Sequence, residues 1–460
     1  MAALQVFSKC SHTTVYAPLF RQPAPCPPTG SKVLKQLLTN RAMNILIVST
    51  EEKCGGGARA AFRLHKALQR TGHTSSMFVE RRGYHDDAVC AFSLPMNLSA
   101  RIKRLFRQTQ IRYSLSRHLS KNPEVIDNFS DDRSRYGCSI LRQIPECDII
   151  NLHWVSGFID HSSFFLNIPK RRKIVWTLHD MNPFTGGCHY AGKCLKYMDR
   201  CGNCPLMAAY REKDLSRKIW KRKKSMYDRI DPGRMQFVTP SRWLAEKARH
   251  SALLKKFTVS IIPNGLDTRI FAPRDRKSVR RVLGISFSEK VLLFVSHNPG
   301  EHRKGFDLLL KAIDLLADRD NLLLISVGSF PPRIQAQIRH IHLHRIESEL
   351  LLSLVYSASD VFVIPSLQDN LPNTVLESMA CGTPVVGFDT GGIPEMVRHE
   401  ESGLLAPVSD VKALSASIGR LFDTPPERNA MSLRCRQIIE QEYTEEIQAK
   451  RYIQLFEGNL

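Results

Sequence analysis

From Asn44 onward, short runs of β-branched and aliphatic residues alternate with longer stretches in which apolar positions return every three or four residues. The first run, Asn44-Ile-Leu-Ile-Val-Ser-Thr50, is apolar at its inner positions, the pattern of a strand covered on both faces. Glu51-Glu-Lys-Cys-Gly-Gly-Gly57 follows, and Phe62, Leu64, Ala67 and Leu68 mark a helix that stops at Gly72-His73. Further strands are expected over 148–154 and 173–180, from Gln236, and over 290–296, 361–364 and 384–388. A helix with Phe306, Leu309, Leu310, Ile313 and Leu316 on one face follows 290–296, and 431–455 reads as a terminal helix. Such alternation predicts an α/β protein built on parallel sheets.

Signals are densest over 361–397. A strand closes at Pro365, a polar loop runs over 366–371, and a short helix is expected with Pro372 at its first position and a stop at Gly382 and Pro384. A second strand, the turn Gly391-Gly392 and a helix start at Ile393-Pro394-Glu395 come next. Two helix N-termini thus leave one sheet edge, where open α/β sheets bind ligands and unpaired N–H groups suit phosphate. Two carboxylates stand beside them, Asp369 in the loop and Glu377 on the helix. They would repel phosphate, so sugar or ribose hydroxyls are their expected partners. Phosphate together with hydroxyls indicates a nucleotide sugar.

The first half of the chain carries other chemistry. Gly55-Gly56-Gly57 frees the backbone at a helix start to approach a phosphate or an acceptor. It also partly mimics a dinucleotide fingerprint, Gly55-x-Gly57-x-x-Ala60, with Glu80 further on, which keeps a nicotinamide-dependent dehydrogenase as a weak alternative. His153 and His179 end two strands at one sheet edge, where a packed structural role competes with a place in the cleft. Cys188, Cys194, Cys201 and Cys204 form a C-x5-C-x6-C-x2-C array in a glycine-containing loop with little core of its own. A closed, structural zinc site fits this spacing best, ahead of an iron–sulfur cluster, two disulfides or four free thiols.

The stretch 361–397 resembles the donor-binding signature of retaining glycosyltransferases of family 4 (glycosyl transferases group 1), with the motif E-x7-E appearing as Asp369-x7-Glu377. The resemblance implies the GT-B fold, two Rossmann-like domains facing across a cleft. It implies that Glu377 holds ribose hydroxyls, that Asp369 with the backbone at Asn370 and Leu371 holds the donor sugar, and that Gly391 and Gly392 lie near the diphosphate. His179 matches the family's Thr-x-His-Asp element as a donor or acceptor contact, with Asp180 as its potential orienting group. Pro263-Asn-Gly-Leu-Asp267 matches the lead into the second domain. Lys304 in Lys-Gly-Phe-x-x-Leu-Leu matches the lysine on the diphosphate; the family's paired arginine is absent at His297-Asn298, and Arg303 is the available substitute. On this basis Lys304 and His179 are the expected catalytic residues, and Gly56, Gly57 and His153 the acceptor-side cleft. A similar cysteine-rich insertion after Thr-x-His-Asp occurs in the colanic-acid (exopolysaccharide) branch of the family. The expected division is 43–260 as an acceptor-side domain with the insertion at 186–206, 261–430 as the nucleotide-sugar domain, and 431–460 as a helix crossing back.

Composition changes the picture in three places. With 460 residues there is length for two cores, and no apolar run approaches a membrane span. The formal charge of +22 calls for an anionic partner. A zinc-containing nucleic-acid-binding protein is therefore a second reading, although two complete α/β units exceed what such a module needs and no nucleic acid is expected as partner. Between Arg101 and Lys121 there are seven Lys or Arg and no acid, interleaved with apolar residues, and 217–224 is a second basic run; each is either a solvated helix face or a site for an anionic membrane surface. Residues 1–42 hold five Lys or Arg and no acid, compatible with a transit peptide, a disordered tail or an unused upstream start. Isolated cysteines favour a reducing compartment. The combined expectation is a cytoplasmic enzyme, in part peripheral at the inner membrane face. It moves a sugar from a UDP- or GDP-linked donor to a saccharide or lipid-linked acceptor in cell-surface polysaccharide biosynthesis, with no cofactor needed for catalysis.

Overall fold

The computed structural model describes residues 42–83, 86–120, 128–316, 321–329 and 338–458. The leader reading over 1–41 and Lys121 lie outside these residues.

The apolar runs become two all-parallel sheets. The first contains β1 (Asn44–Glu51), β2 (Thr74–Arg81), β3 (Val89–Ala91), β4 (Ile149–Leu152), β5 (Lys173–Thr177), β6 (Met235–Thr239) and β7 (Val259–Ile261) in the order β3-β2-β1-β4-β5-β6-β7. The second contains β8 (Lys290–Val295), β9 (Leu322–Val327), β10 (Arg339–Leu343), β11 (Val361–Ile364), β12 (Val385–Phe388) and β13 (Gly403–Ala406) in the order β10-β9-β8-β11-β12-β13. Ile45 and Ile47 of β1 enter one core and Leu46 and Val48 another on the opposite face, which explains why the run is apolar throughout.

In each sheet the strand order reverses once, between β1 and β4 and between β8 and β11. Loops leaving neighbouring strands at such a point diverge to opposite faces and open a crevice. The polar segments singled out in the sequence leave these strands: Gly55–Gly57 after β1, Trp154 after β4, 296–304 after β8 and 365–371 after β11.

Some boundaries differ from the sequence reading. Pro372 is the N-cap of helix Asn373–Ala380 and not its first residue; its backbone is extended, with ψ 121°. The terminal segment is two helices, Pro425–Glu442 and Glu445–Glu457, divided where the Thr444 hydroxyl accepts from the Ile447 N–H. The second of them returns to the first sheet: Ala449, Tyr452, Leu455 and Phe456 share a core with Ile45, Ile47 and Val175. The basic run 217–224 lies within helix Leu215–Asp228, where Lys223 is buried, Arg222 pairs with Asp131 and Asp132, and Lys224 with Asp228. That run is part of a packed helix, with Lys218 and Lys221 left exposed. Among the described residues no helix is long and apolar enough to cross a membrane.

Candidate active site

The two reversal points open onto one cleft of about 490 Å³. Its lining brings together Gly56, Gly57, His179, Arg303, Lys304, Asp369, Asn370, Leu371 and Glu377, most of the residues expected from the sequence.

On the second-sheet side, the loop after β11 sits against the segment before helix Phe306–Asp314. Lys304 Nζ donates to Asp369 Oδ2 at 2.6 Å, and Arg303 reaches the same oxygen at 3.6 Å while donating to the Gln368 carbonyl at 2.7 Å. Burial alone would raise the Asp369 carboxyl, but Lys304 and Arg303 hold it below the usual carboxylate range. Asp369 is therefore ionised, with its second oxygen accepting from the Asn370 N–H at 3.0 Å and facing the Tyr190 hydroxyl at 3.4 Å. Glu377 is fully buried and engaged at both oxygens, one accepting from Arg63 at 2.7 Å and the other from the Tyr356 hydroxyl at 3.1 Å.

Gly391 and Gly392 do not line the cleft. They stand behind the loop after β11, so close that a Cβ on Gly391 would fall 1.7 Å from the Asp369 carbonyl oxygen and one on Gly392 1.8 Å from that of Asn370. Gly391 also has φ +62°, and the Gly392 N–H donates to the Asp369 carbonyl. Their glycine identity is required by the close backing of the loop after β11.

On the first-sheet side, helix Gly56–Arg70 opens toward the cleft with no side-chain cap, so its first-turn N–H groups are available to an anion. A Cβ on Gly57 would meet the His179 ring at 3.2 Å. His153 is buried behind His179 and does not line the cleft. The Asn151 amide nitrogen donates to the Val175 carbonyl and toward Thr177 Oγ1, so its oxygen accepts from His153 Nε2 at 3.0 Å. His153 Nδ1 then accepts from His179 Nε2 at 2.9 Å, which leaves His179 Nδ1 as an acceptor. Burial drives both rings toward the neutral form, pushing His179 down to about 4. Asp180 does not orient His179. Its carboxylate pairs with His189 at 2.6 Å and accepts from Trp154 and the Asn182 N–H, because successive residues of an extended segment face opposite ways.

Three residues escaped the sequence reading. Arg63 is buried, and bonds Glu349 and Glu377; its signal was a cation among the alanines and leucines of the inward face of an amphipathic helix. Tyr190, from the cysteine-rich loop, stacks under the Arg303 guanidinium at 4.1 Å and had no signal. Ser241 donates to Asn370 Oδ1 at 2.5 Å, and Asn370 in turn donates to the His179 carbonyl at 3.1 Å, so the loop after β11 is bolted to the histidine side. Glu80, the acid of the dinucleotide alternative, already accepts from Tyr136 and Arg135.

Cys188, Cys194, Cys201 and Cys204 are free thiols lining one small cavity away from the cleft. Among the described residues, as they stand, no group of three or more His, Cys, Asp or Glu is arranged to hold a metal ion.

Comparison with known proteins agrees with this geometry. The model described as "Glycosyltransferase Family 4" matches residues 54–270 and that described as "Glycosyl transferases group 1" matches 289–424. D-inositol 3-phosphate glycosyltransferase of Thermobispora bispora is 30% identical over 194 residues, 38% of this chain and 44% of that one. The chain spans about half the length of the curated relatives it matches. Among solved structures, HepE of Anabaena in complex with UDP-glucose has a TM-score of 0.64 at 14% identity, covering 90% of this chain and 100% of that one. Sucrose-phosphate synthase of Thermosynechococcus elongatus has a TM-score of 0.63 at 20% identity, covering 90% and 98%. These likenesses establish a GT-B fold. With both halves matched by models of one kind and the cleft built from their loops, the chain belongs to the group 1, family 4 glycosyltransferases.

Proposed function

We propose that the chain is a retaining glycosyltransferase that moves a sugar from a UDP- or GDP-linked donor to a hydroxyl of a saccharide or lipid-linked acceptor, in cell-surface polysaccharide biosynthesis. The observation that carries this reading is the Lys304–Asp369 pair, with Arg303 beside it, facing a neutral His179 and an uncapped helix start across one cleft. As the bond from the sugar to the diphosphate breaks, charge grows on the leaving oxygen. Lys304 and Arg303 stabilise that charge, the largest kind of contribution such a site makes. The acceptor oxygen bonds to the vacated carbon and its proton passes to the leaving phosphate oxygen. Asp369, relieved of Lys304, accepts from sugar hydroxyls, Glu377 accepts from ribose hydroxyls while keeping Arg63, and His179 Nδ1 accepts from a further hydroxyl. Neither acid serves as a hydrolytic acid or nucleophile in this scheme. The likeness to a fold solved with UDP-glucose supports the donor class.

The test is calorimetric titration with a panel of UDP-, GDP- and other nucleotide sugars, repeated on Glu377→Gln. One donor should bind the native chain and bind the variant about tenfold more weakly, since a hydrogen bond to a charged group is worth about 1.5–3 kcal/mol. Absence of any nucleotide-sugar binding by folded protein would overturn the assignment.

We also infer that the cysteine-rich loop takes up zinc as a structural ion, its four sulfurs drawing together around the metal. Their shared cavity supports this, as does the Gly186 N–H donated to Cys201 Sγ at 3.2 Å. Lys223, buried close by with its ammonium on the Asn182 and Thr185 carbonyls, would offset the thiolate charge. Elemental analysis of protein purified without chelator should find one zinc per chain; metal-free protein with an unchanged melting temperature would dismiss the ion.

A further inference from the structure

Helix Leu98–His118 is turned inside out. It runs 21 residues without burying one of them. Leu98, Ile102, Leu105, Phe106 and Tyr113 are between 58% and 71% exposed. At 100° per residue these five fall on one stripe, together with Thr109. The opposite side is the one that meets the protein, and it is largely polar. Arg107 pairs with Asp160 and donates to the Ser134 carbonyl, while Arg104 donates to the Pro95 carbonyl. In its C-terminal half, the half-buried Ile111 and Leu115 lie on this side, and Leu115 packs against a small apolar cluster of the body.

The stripe's borders are basic. Arg101 and Arg112 lie along one edge and Lys103 and Arg117 along the other, all exposed, and the helix contains no Asp or Glu. Exposed Leu94 and Met96 extend the apolar surface just before its start. An amphipathic helix in a water-facing position normally shows the reverse arrangement, so an apolar stripe aimed outward calls for a partner.

We propose that helix Leu98–His118 docks flat on an anionic lipid bilayer, its apolar stripe entering the acyl boundary and its flanking arginines and lysine meeting anionic headgroups. Apolar insertion combined with headgroup attraction is the physics of interfacial helices. A second copy of the chain fits the same surface poorly, because it would bring together two helices of like charge on molecules whose formal charge is +22. The docking surface is separate from the cleft and does not depend on the transferase reading. The helix is tied at its C-terminal end to the cysteine-rich loop, through Ser120 N–H to the Leu206 carbonyl and Ala208 N–H to the His118 carbonyl. That loop carries Tyr190 into the cleft.

The experiment is co-sedimentation of the full chain with vesicles of phosphatidylcholine alone and of phosphatidylcholine and phosphatidylglycerol in equal parts. It is repeated with the double variant Leu105→Glu, Phe106→Glu and with Arg101→Glu, Arg112→Glu, and light scattering follows the oligomeric state. The native chain should sediment with the anionic vesicles and not the neutral ones. Each double variant should bind about tenfold or more weakly, with an unchanged melting curve, because the altered side chains are exposed. Equal binding by native chain and variants, or no binding to anionic vesicles, overturns the proposal. So does a dimer in solution that the apolar variant dissociates, which would assign the stripe to a second copy.

Discussion

Lys304 and Asp369 occupy each other at 2.6 Å, and the proposed reaction asks them to part: the ammonium to a phosphate, the carboxylate to hydroxyls. Replacing Lys304 by Ala should lower kcat about a hundredfold or more, the cost of losing a group aimed at developing charge. The same change should also lower the melting temperature, because it leaves the buried Asp369 carboxylate with only Arg303 at 3.6 Å as its cation. Steady-state kinetics and a thermal melt together separate these effects. The meeting of Lys304, Asp369 and His179 in one cleft was legible because each lies in a segment that follows a strand, β8, β11 or β5, in a recognisable context. Arg63 was not assigned a role, because its partners Glu349 and Glu377 lie 286 and 314 residues away in sequence. No local spacing can announce a bond of that separation. Its burial does explain why Glu377 is held so firmly: the buried guanidinium bonds both Glu377, buried beside it, and Glu349, which is 30% exposed.

At the scale of elements, the turn Gly391-Gly392 acts on the donor loop through contact. Gly391→Ala would place a methyl within 1.7 Å of the Asp369 carbonyl and force a left-handed φ on alanine. The loop after β11 must then shift, and donor affinity should fall about tenfold or more with a lowered urea midpoint; backbone strain of this kind alone costs about 1–3 kcal/mol. Runs such as 290–296 and 361–364 were read as strands because they are buried and carry a continuous apolar signal, whereas Thr74–Arg81, Val89–Ala91, Leu322–Val327 and Arg339–Leu343 were not read. The division of the terminal helix was missed because apolar residues keep a helical rhythm on both sides of Tyr443 and only Thr444, a modest capping residue, marks the break. The run 217–224 was only partly legible for a related reason. Charge counts along a sequence do not reveal that Lys223 points inward or that Asp131 and Asp132 answer Arg222.

For the whole molecule, four histidines are held neutral by burial: His65 and His179 at about 4, His153 and His161 well below the ordinary value. In the unfolded chain each takes a proton near 6.5. Between 6.5 and about 4 the unfolded state therefore binds protons that the folded state refuses. The stability these rings allow is complete above 6.5 and declines as pH falls through that window, by about 1.4 kcal/mol per pH unit for each fully shifted histidine. Urea midpoints should thus fall steadily below about pH 6.5. A midpoint flat down to about pH 5 would mean that these rings are not buried neutral in solution.

Helix Glu445–Glu457 also fixes an order of events. During synthesis the strands β1, β4 and β5 emerge long before Ala449, Tyr452, Leu455 and Phe456, yet these four side chains complete the core on one face of that sheet, and the Tyr452 hydroxyl bonds Thr177 at 2.8 Å. Ile45, Ile47, Ile149 and Val175 must therefore wait, partly uncovered, while the second sheet is made. The first sheet is thus finished after the second, and a nascent chain stalled anywhere before residue 449 presents that half-covered apolar face to chaperones.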